Sequence, residues 1–317
     1  KILPHTDPKS TVHTANMAKT CGNCHHGIEN TFKESVHHPS NTKTDKMLPN
    51  CETCHTSHTI SRTDVKGFRN KMMKQCGNCH KEESSTFFDT YHGKVSRLGA
   101  EGAAKCYDCH GIHDIQRIEN PKSHLSRENV VETCGKCHPG SHKRFAGYLT
   151  HATHHDPDKY PYLFYAFWFM TILLIGTLSF FILHTIAWLF RLWRTKDQWQ
   201  HHKKLHTGKF YRRFTRKQRI LHLVLIITFF ILAITGMALK FSYTGWAQLI
   251  SSMLGGFASM GVIHRIAAVV QVGMFIAHLM HVRKMKKDSG KSWIKFIFAP
   301  DSMMFNLNDI KQFIETV

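Results

Sequence analysis

The ten cysteines of the chain fall without remainder into five copies of one pattern, Cys-x-x-Cys-His. They are Cys21/Cys24/His25, Cys51/Cys54/His55, Cys76/Cys79/His80, Cys106/Cys109/His110 and Cys134/Cys137/His138. Two thiols at this spacing, followed at once by an imidazole, are the attachment signature of c-type haem. The thiols form thioethers to the two vinyl groups, and the histidine reaches the iron as an axial ligand. A lone Cys-x-x-Cys could be half a zinc ribbon or a redox dithiol. Five copies, each closed by histidine, fit neither, so five covalent haem c groups are expected. Their attachment follows export, which places the cysteine-bearing half on the outer face of an energy-transducing membrane. Any export signal is expected to have been processed or trimmed ahead of Lys1.

A haem iron needs a sixth ligand or leaves a position open to small molecules. An internal repeat nominates the sixth ligands. Shifted by 55 residues, Cys21-Gly-Asn-Cys-His25 lands on Cys76-Gly-Asn-Cys-His80, and Cys51–His55 lands on Cys106–His110. Thr31-Phe32, His37, His58, Ile60 and Arg62 coincide with Thr86-Phe87, His92, His113, Ile115 and Arg117. A third copy starts at Cys134 and carries His151 before running into an apolar stretch. Five histidines therefore recur at equivalent positions: His37, His58, His92, His113 and His151. They equal the motifs in number and are assigned as distal ligands. His58 and His113 lie too close to their own motifs to fold back, and are expected to reach a neighbouring haem. His5, His13, His26, His38, His124, His142, His154 and His155 form a reserve, with His13 and His154 the strongest substitutes.

The elements that must hold these groups differ between the two halves of the 317-residue chain. Apolar residues are sparse up to about residue 159, so little regular structure is expected there, and haem must supply the apolar mass of the core. From residue 160 onward three stretches reach the roughly 20 apolar residues that a bilayer crossing needs. They cover about 162–190, 220–240 and 261–282. The expected fold is thus a pentahaem cytochrome c domain over residues 1–159, irregular and mostly helical, joined to an all-α membrane domain over 160–317. The connection from Arg191 to Arg219 and the run Arg283-Lys284-Met285-Lys286-Lys287 are basic, whereas 241–260 carries no Lys or Arg. The positive-inside rule puts the basic segments in the cytoplasm and 241–260 outside, on the side that haem attachment already required. The formal charge of +20 does not imply nucleic acid: haem propionates offset part of it, and many of the cations flank apolar spans.

Ionisable residues within spans are functional candidates. His184, His222, His278 and His281 lie toward the cytoplasmic ends, and His264 toward the outer end of the third span. Two depths suggest one or two b-type haems, held non-covalently by histidines from different helices. His222 and His264 are the leading ligands. His184 and His278 are weaker candidates, for which an interfacial or propionate-contacting role is an even alternative.

Two resemblances follow from these residues. Tyr91-His92-Gly93 and Cys109-His110-Gly111-Ile112-His113-Asp114-Ile115 resemble the units of a multihaem cytochrome c family over about residues 10–155. Arg219-Ile-Leu-His222, Ala233-Ile-Thr-Gly236, Trp246, Ile263-His264 and the 293–313 segment look like the cytochrome b subunits of membrane formate dehydrogenases and nickel–iron hydrogenases. That resemblance implies that His222 and His264 bind the inner and outer haem. In that family the opposite ligands come from a later helix without a counterpart in this sequence. A continuation of the chain, another subunit, or His278 and His184 could supply them.

The combination resembles inner-membrane cytochrome b/c quinol dehydrogenases of anaerobic and metal-reducing bacteria. It implies a multi-pass protein of a bacterial or archaeal cytoplasmic membrane, with the c haems on the periplasmic side. Its partners would be menaquinone or ubiquinone, a periplasmic redox protein or other respiratory subunits, and membrane lipid. A non-catalytic anchor and electron wire is the alternative. A multihaem reductase of nitrite or sulfite needs a five-coordinate haem, and five motifs ending in His argue against it.

Overall fold

The computed structural model describes residues 2–148, 150–195 and 215–299, together with 311 and 314. The central part of the basic connection (196–214) and most of the 293–313 segment beyond residue 299 lie outside the described residues. Among the described residues the structure is helices and turns, with no strand.

The cysteine-rich half is more regular than its composition suggests. Its helices are short: α1 (Met17–Gly22), α2 (His26–Glu34), α3 (Cys51–His55), α4 (Phe68–Cys79), α5 (Lys81–Asp89), α6 (Tyr91–Arg97), α7 (Cys106–His110), α8 (Val130–Gly135) and α9 (Lys143–Ala146). The haem motifs are themselves what forms them. In α3 the Asn50 side chain accepts from Thr53 N (3.0 Å), while Thr53 Oγ1 accepts from Asn50 N (3.2 Å). In α7 the Asp108 carboxylate accepts from Lys105 N at 2.7 Å. Each single turn thereby satisfies donors that a short helix would otherwise leave unpaired. The 55-residue shift carries α2 onto α5 and α3 onto α7 residue for residue.

The turn after each second motif repeats as well. Thr56 (φ +64°) and Gly111 (φ +88°) are equivalent, and both have extended ψ, a region that costs a residue with a Cβ about 1–3 kcal/mol. At Gly111 a Cβ would also press on Asp114 and His124.

Three long helices follow: α10 (Pro161–Arg194), α11 (Arg216–Lys240) and α13 (Phe257–Ser289), each long and apolar enough to cross a membrane. They overrun the apolar stretches because the helices continue into flanking charged residues, which apolarity alone does not count. The connection between α11 and α13 contains α12 (Gly245–Met253), and α14 (Trp293–Ile297) ends the described helices.

The chain divides into two compact units, Lys1–Thr153 with Met237–Met260, and His154–Gly236 with Gly261–Val317. The first differs from a simple halving of the sequence because the connection between α11 and α13 packs with the cysteine-rich half. Leu98, only 5 % exposed, clusters with Ala238, Ala247 and Met260. Ser251 Oγ donates to Leu98 O (3.1 Å), and Tyr91 meets Phe257 edge-on at 6.0 Å.

Gly111→Ala should lower stability by about 1–3 kcal/mol, whereas Thr56→Gly should raise it by about 1 kcal/mol, because one change creates and the other relieves the same backbone strain. Thermal unfolding of the two variants checks the opposite signs.

Candidate functional site

The first unit brings the repeat histidines to the motif histidines in pairs. His37 faces His80 with ring centres 6.1 Å apart, His113 faces His55 at 6.1 Å, His92 faces His138 at 6.1 Å, and His110 faces His151 at 6.3 Å. Direct ring contact is closer, as for His154 on Phe167 at 3.7 Å in the second unit. With a metal–nitrogen bond of about 2.0–2.1 Å and about 1.1 Å from nitrogen to ring centre, two imidazoles on opposite faces of one metal stand about 6.3 Å apart. The observed spacings match that value, so these four pairs fit a six-coordinate haem iron. His25 and His58 have no such ring partner among the described residues.

Electrostatics agree with ligation, which needs a neutral ring. Burial lowers the pKa of His37, His55, His92, His110 and His113. Neighbouring rings add to the shift, His80 for His37, His138 for His92 and His151 for His110.

Hydrogen bonds separate ligand candidates from structural histidines. The Thr86 hydroxyl donates to the carbonyl of Glu82 or Glu83 (3.1 Å each), so it accepts from His151 Nδ1 at 3.0 Å. The proton of His151 then sits on Nδ1, and Nε2 keeps its lone pair for a metal. His13 and His142 do the reverse: Nδ1 accepts a backbone N–H, from Ala15 and Phe145 respectively at 3.3 Å. Their proton is on Nε2, and no lone pair remains. His38 Nδ1 accepts from Ser40 N (3.3 Å), and His124 pairs with Asp114 at 2.8 Å. His26 bonds Asn30 at 3.1 Å and lies beside Glu29. His154 and His155 stack on one another, with ring centres 3.9 Å apart. His5 is exposed in a turn.

The thiols give the order of the motifs in space. Cys21 hydrogen-bonds Cys51, and its repeat equivalent Cys76 hydrogen-bonds Cys106. Cys54 feels Cys76 and Cys79, as Cys109 feels Cys134 and Cys137. Burial first, and then these neighbours, push the Cys51 and Cys109 thiols up to about 11. The five motifs therefore form one linear array with two alternating junctions. All ten cysteines are free, and among the described residues no cysteine joins a convergent group of three or more metal donors. That geometry suits neither disulfides nor zinc.

Two segments from different repeat units hold the array together. Val36 N donates to Ile115 O (2.8 Å), Ser35 Oγ donates to the same carbonyl (3.3 Å), and Gln116 Nε2 donates to Glu34 O. His37 and His113 follow and precede these bonds by one or two residues. Fully buried Lys105, missed in the sequence, donates from Nζ to Ser96 Oγ (2.7 Å) and Ala100 O (3.0 Å), tying the end of α6 to the fourth motif.

In the second unit, His264 Nδ1 meets Thr235 Oγ1 at 2.8 Å, and that hydroxyl donates to Ile231 O at 2.6 Å. As at His151, Nδ1 carries the proton and Nε2 is free. Thr228 bonds Gln271, seven residues back on α11 and seven on along α13. The two contacts fix an antiparallel register that brings His222 level with Ala277 and so beside His278. His222 and Thr235 are 13 residues apart, about 20 Å along a helix axis. The histidines of α11 and α13 thus occupy two levels, with His264 at one and His222, His278 and, nearly a turn further on, His281 at the other. An apolar hollow between the levels is lined by Leu225, Ile226, Phe229, Phe230 and Gln271. His184 is half-buried toward the end of α10.

Thr86 and Thr235 escaped the sequence reading as functional positions. Both lie in runs that stood out there, Thr86-Phe87 in the repeat and Ala233-Ile-Thr-Gly236. No known protein family, curated protein or solved structure matches the chain.

If Thr235 fixes the tautomer of His264, Thr235→Val should lower retention of non-covalent haem about 10-fold, and Thr235→Ser should restore it. Haem titration of the two variants provides the comparison.

Proposed function

We propose that this chain is a membrane-bound electron-transfer protein. It oxidises quinol, or reduces quinone, in the lipid phase and exchanges electrons with a redox partner on the far side of the membrane. The observation that carries this reading is the set of four histidine pairs at the spacing of two axial ligands, each uniting a Cys-x-x-Cys-His histidine with a repeat histidine. Five covalent c haems and one or two b haems would supply reversible one-electron iron chemistry.

The residues have separable tasks. The ten thiols fix the c haems in the order of the array, and their alternating close junctions favour transfer between neighbours. His37, His92, His113 and His151 complete the axial pairs, and burial keeps their rings neutral. Paired histidines favour lower potentials than the His/Met ligation of soluble carrier cytochromes. His264 at one level, and His222 with His278 at the other, are the ligands for b haem. Quinol oxidation releases two electrons and two protons, and quinols are confined to lipid, so the entry point belongs among the three spans. Packing of Met237–Met260 with the cysteine-rich half supports a common side for both. With the basic flanks of the spans, it supports a periplasmic c-haem domain on a bacterial or archaeal cytoplasmic membrane.

Denatured protein should retain five covalent haems by mass, while organic extraction removes the b haem alone; bound zinc or fewer haems would end the reading at the motifs concerned. A reduced menaquinone or ubiquinone analogue should reduce the b-type absorbance before the c-type. His264→Ala should leave the c-type absorbance oxidised. A chain that ignores every quinol, yet is reduced once a membrane partner is added, would instead be an anchor and wire.

A further inference from the structure

The pairing of histidines follows a rule set by the repeat, and the rule leaves one motif unserved. The histidine after the first motif of each unit faces the first motif of the next unit: His37 with His80, and His92 with His138. The histidine after a second motif faces the unit before: His113 with His55. At one end of the array the incomplete third copy closes the series, because His151 turns back onto His110 in place of the histidine that a further second motif would have brought. The other end has no such closure. There the first rule asks for a histidine from a preceding unit to face His25, and the second directs His58 toward that same unit.

Both His25 and His58 are exposed, and neither has a ring partner among the described residues. His58 does not substitute within its own unit, since its equivalent His113 turns away from His80 to serve His55. His13, the nearest upstream histidine, accepts a hydrogen bond at Nδ1 as a helix cap, so its Nε2 is protonated. His26 and His38 are held by their own local bonds.

We propose that the haem attached at Cys21, Cys24 and His25 keeps an open sixth position, where the chain binds a small axial ligand. The ligand class follows from iron chemistry: carbon monoxide or nitric oxide on ferrous iron, imidazole or cyanide on ferric iron. The proposal rests on the haem reading above and differs from the bis-histidine assignment only at this motif. It makes the first motif the exposed end of the array, able to meet a solute directly while the four paired sites stay closed to ligands.

The test uses the full chain, purified with its haems. Covalent haem is counted first by mass, and the ferric protein is then examined by electron paramagnetic resonance. One haem in five should be high-spin, and ferrous protein should bind about one equivalent of carbon monoxide per chain. Imidazole should convert that haem to low spin. His58→Ala should leave the high-spin fraction unchanged, whereas His92→Ala should double it to two haems in five. Replacing Cys21 and Cys24 together with alanine should abolish the high-spin signal and the carbon monoxide binding, leaving four low-spin haems. Five covalent haems that are all low-spin would overturn the open site and leave the haem reading intact. A low-spin first haem that becomes high-spin in His58→Ala would overturn it too, with His58 as the missing ligand. No covalent haem at Cys21 and Cys24 would overturn both statements for that motif.

Discussion

A histidine can offer a lone pair to a metal from one nitrogen only if its proton is held at the other. That constraint sorts the histidines of this chain better than exposure or sequence position does. At His151 and His264 a threonine hydroxyl, already committed to a helix carbonyl, can only accept, so the ring proton is drawn to Nδ1. At His13 and His142 a backbone N–H occupies Nδ1 and forces the proton to Nε2. The same imidazole is therefore a prospective ligand in one setting and a helix cap in the other. One hydrogen-bond direction makes the difference.

The cysteine-rich half depends on the same economy of few, directed contacts. It buries few apolar side chains beyond Met17, Met73, Phe87, Val95 and Leu98. Short capped helices, a bridge between residues 34–36 and 115–116, and the buried Lys105 ammonium hold the motifs in order. The proposed haems would provide the apolar surface that the chain does not. Histidine pairs held about 6 Å apart without touching are what such a scaffold looks like when the spacing, and not ring contact, is the property being kept.

Much of this arrangement was legible in the residues. The 55-residue shift picked out His37, His92, His113 and His151, because equivalence in a repeat reports equivalent surroundings. The three spans were legible from uninterrupted apolar runs. What the sequence hid was of two kinds. Pairing across units was hidden, since nothing in the spacing says that His37 meets His80 and not His55. Local helix formation at Cys51–His55 and Cys106–His110 was hidden too, because a single capped turn has too few residues for any periodicity to register. Thr86, Thr235 and Lys105 were overlooked for a third reason: their roles depend on which neighbour is already occupied, and only coordinates reveal that.

Leu98 carries a mechanical consequence. It lies one residue beyond α6, the helix that presents His92 to His138, and its side chain and carbonyl are both engaged by the connection between α11 and α13. Tyr91, at the first position of α6, touches Phe257 at the start of α13. A two-turn helix gripped at both ends is a rigid lever. Any tilt or slide of the turn joining the two spans is handed to His92, and so to the field around whatever lies between His92 and His138. The lipid-embedded helices thereby have a direct mechanical route to the electronic properties of the last motif, with no side chain in between that could absorb the motion.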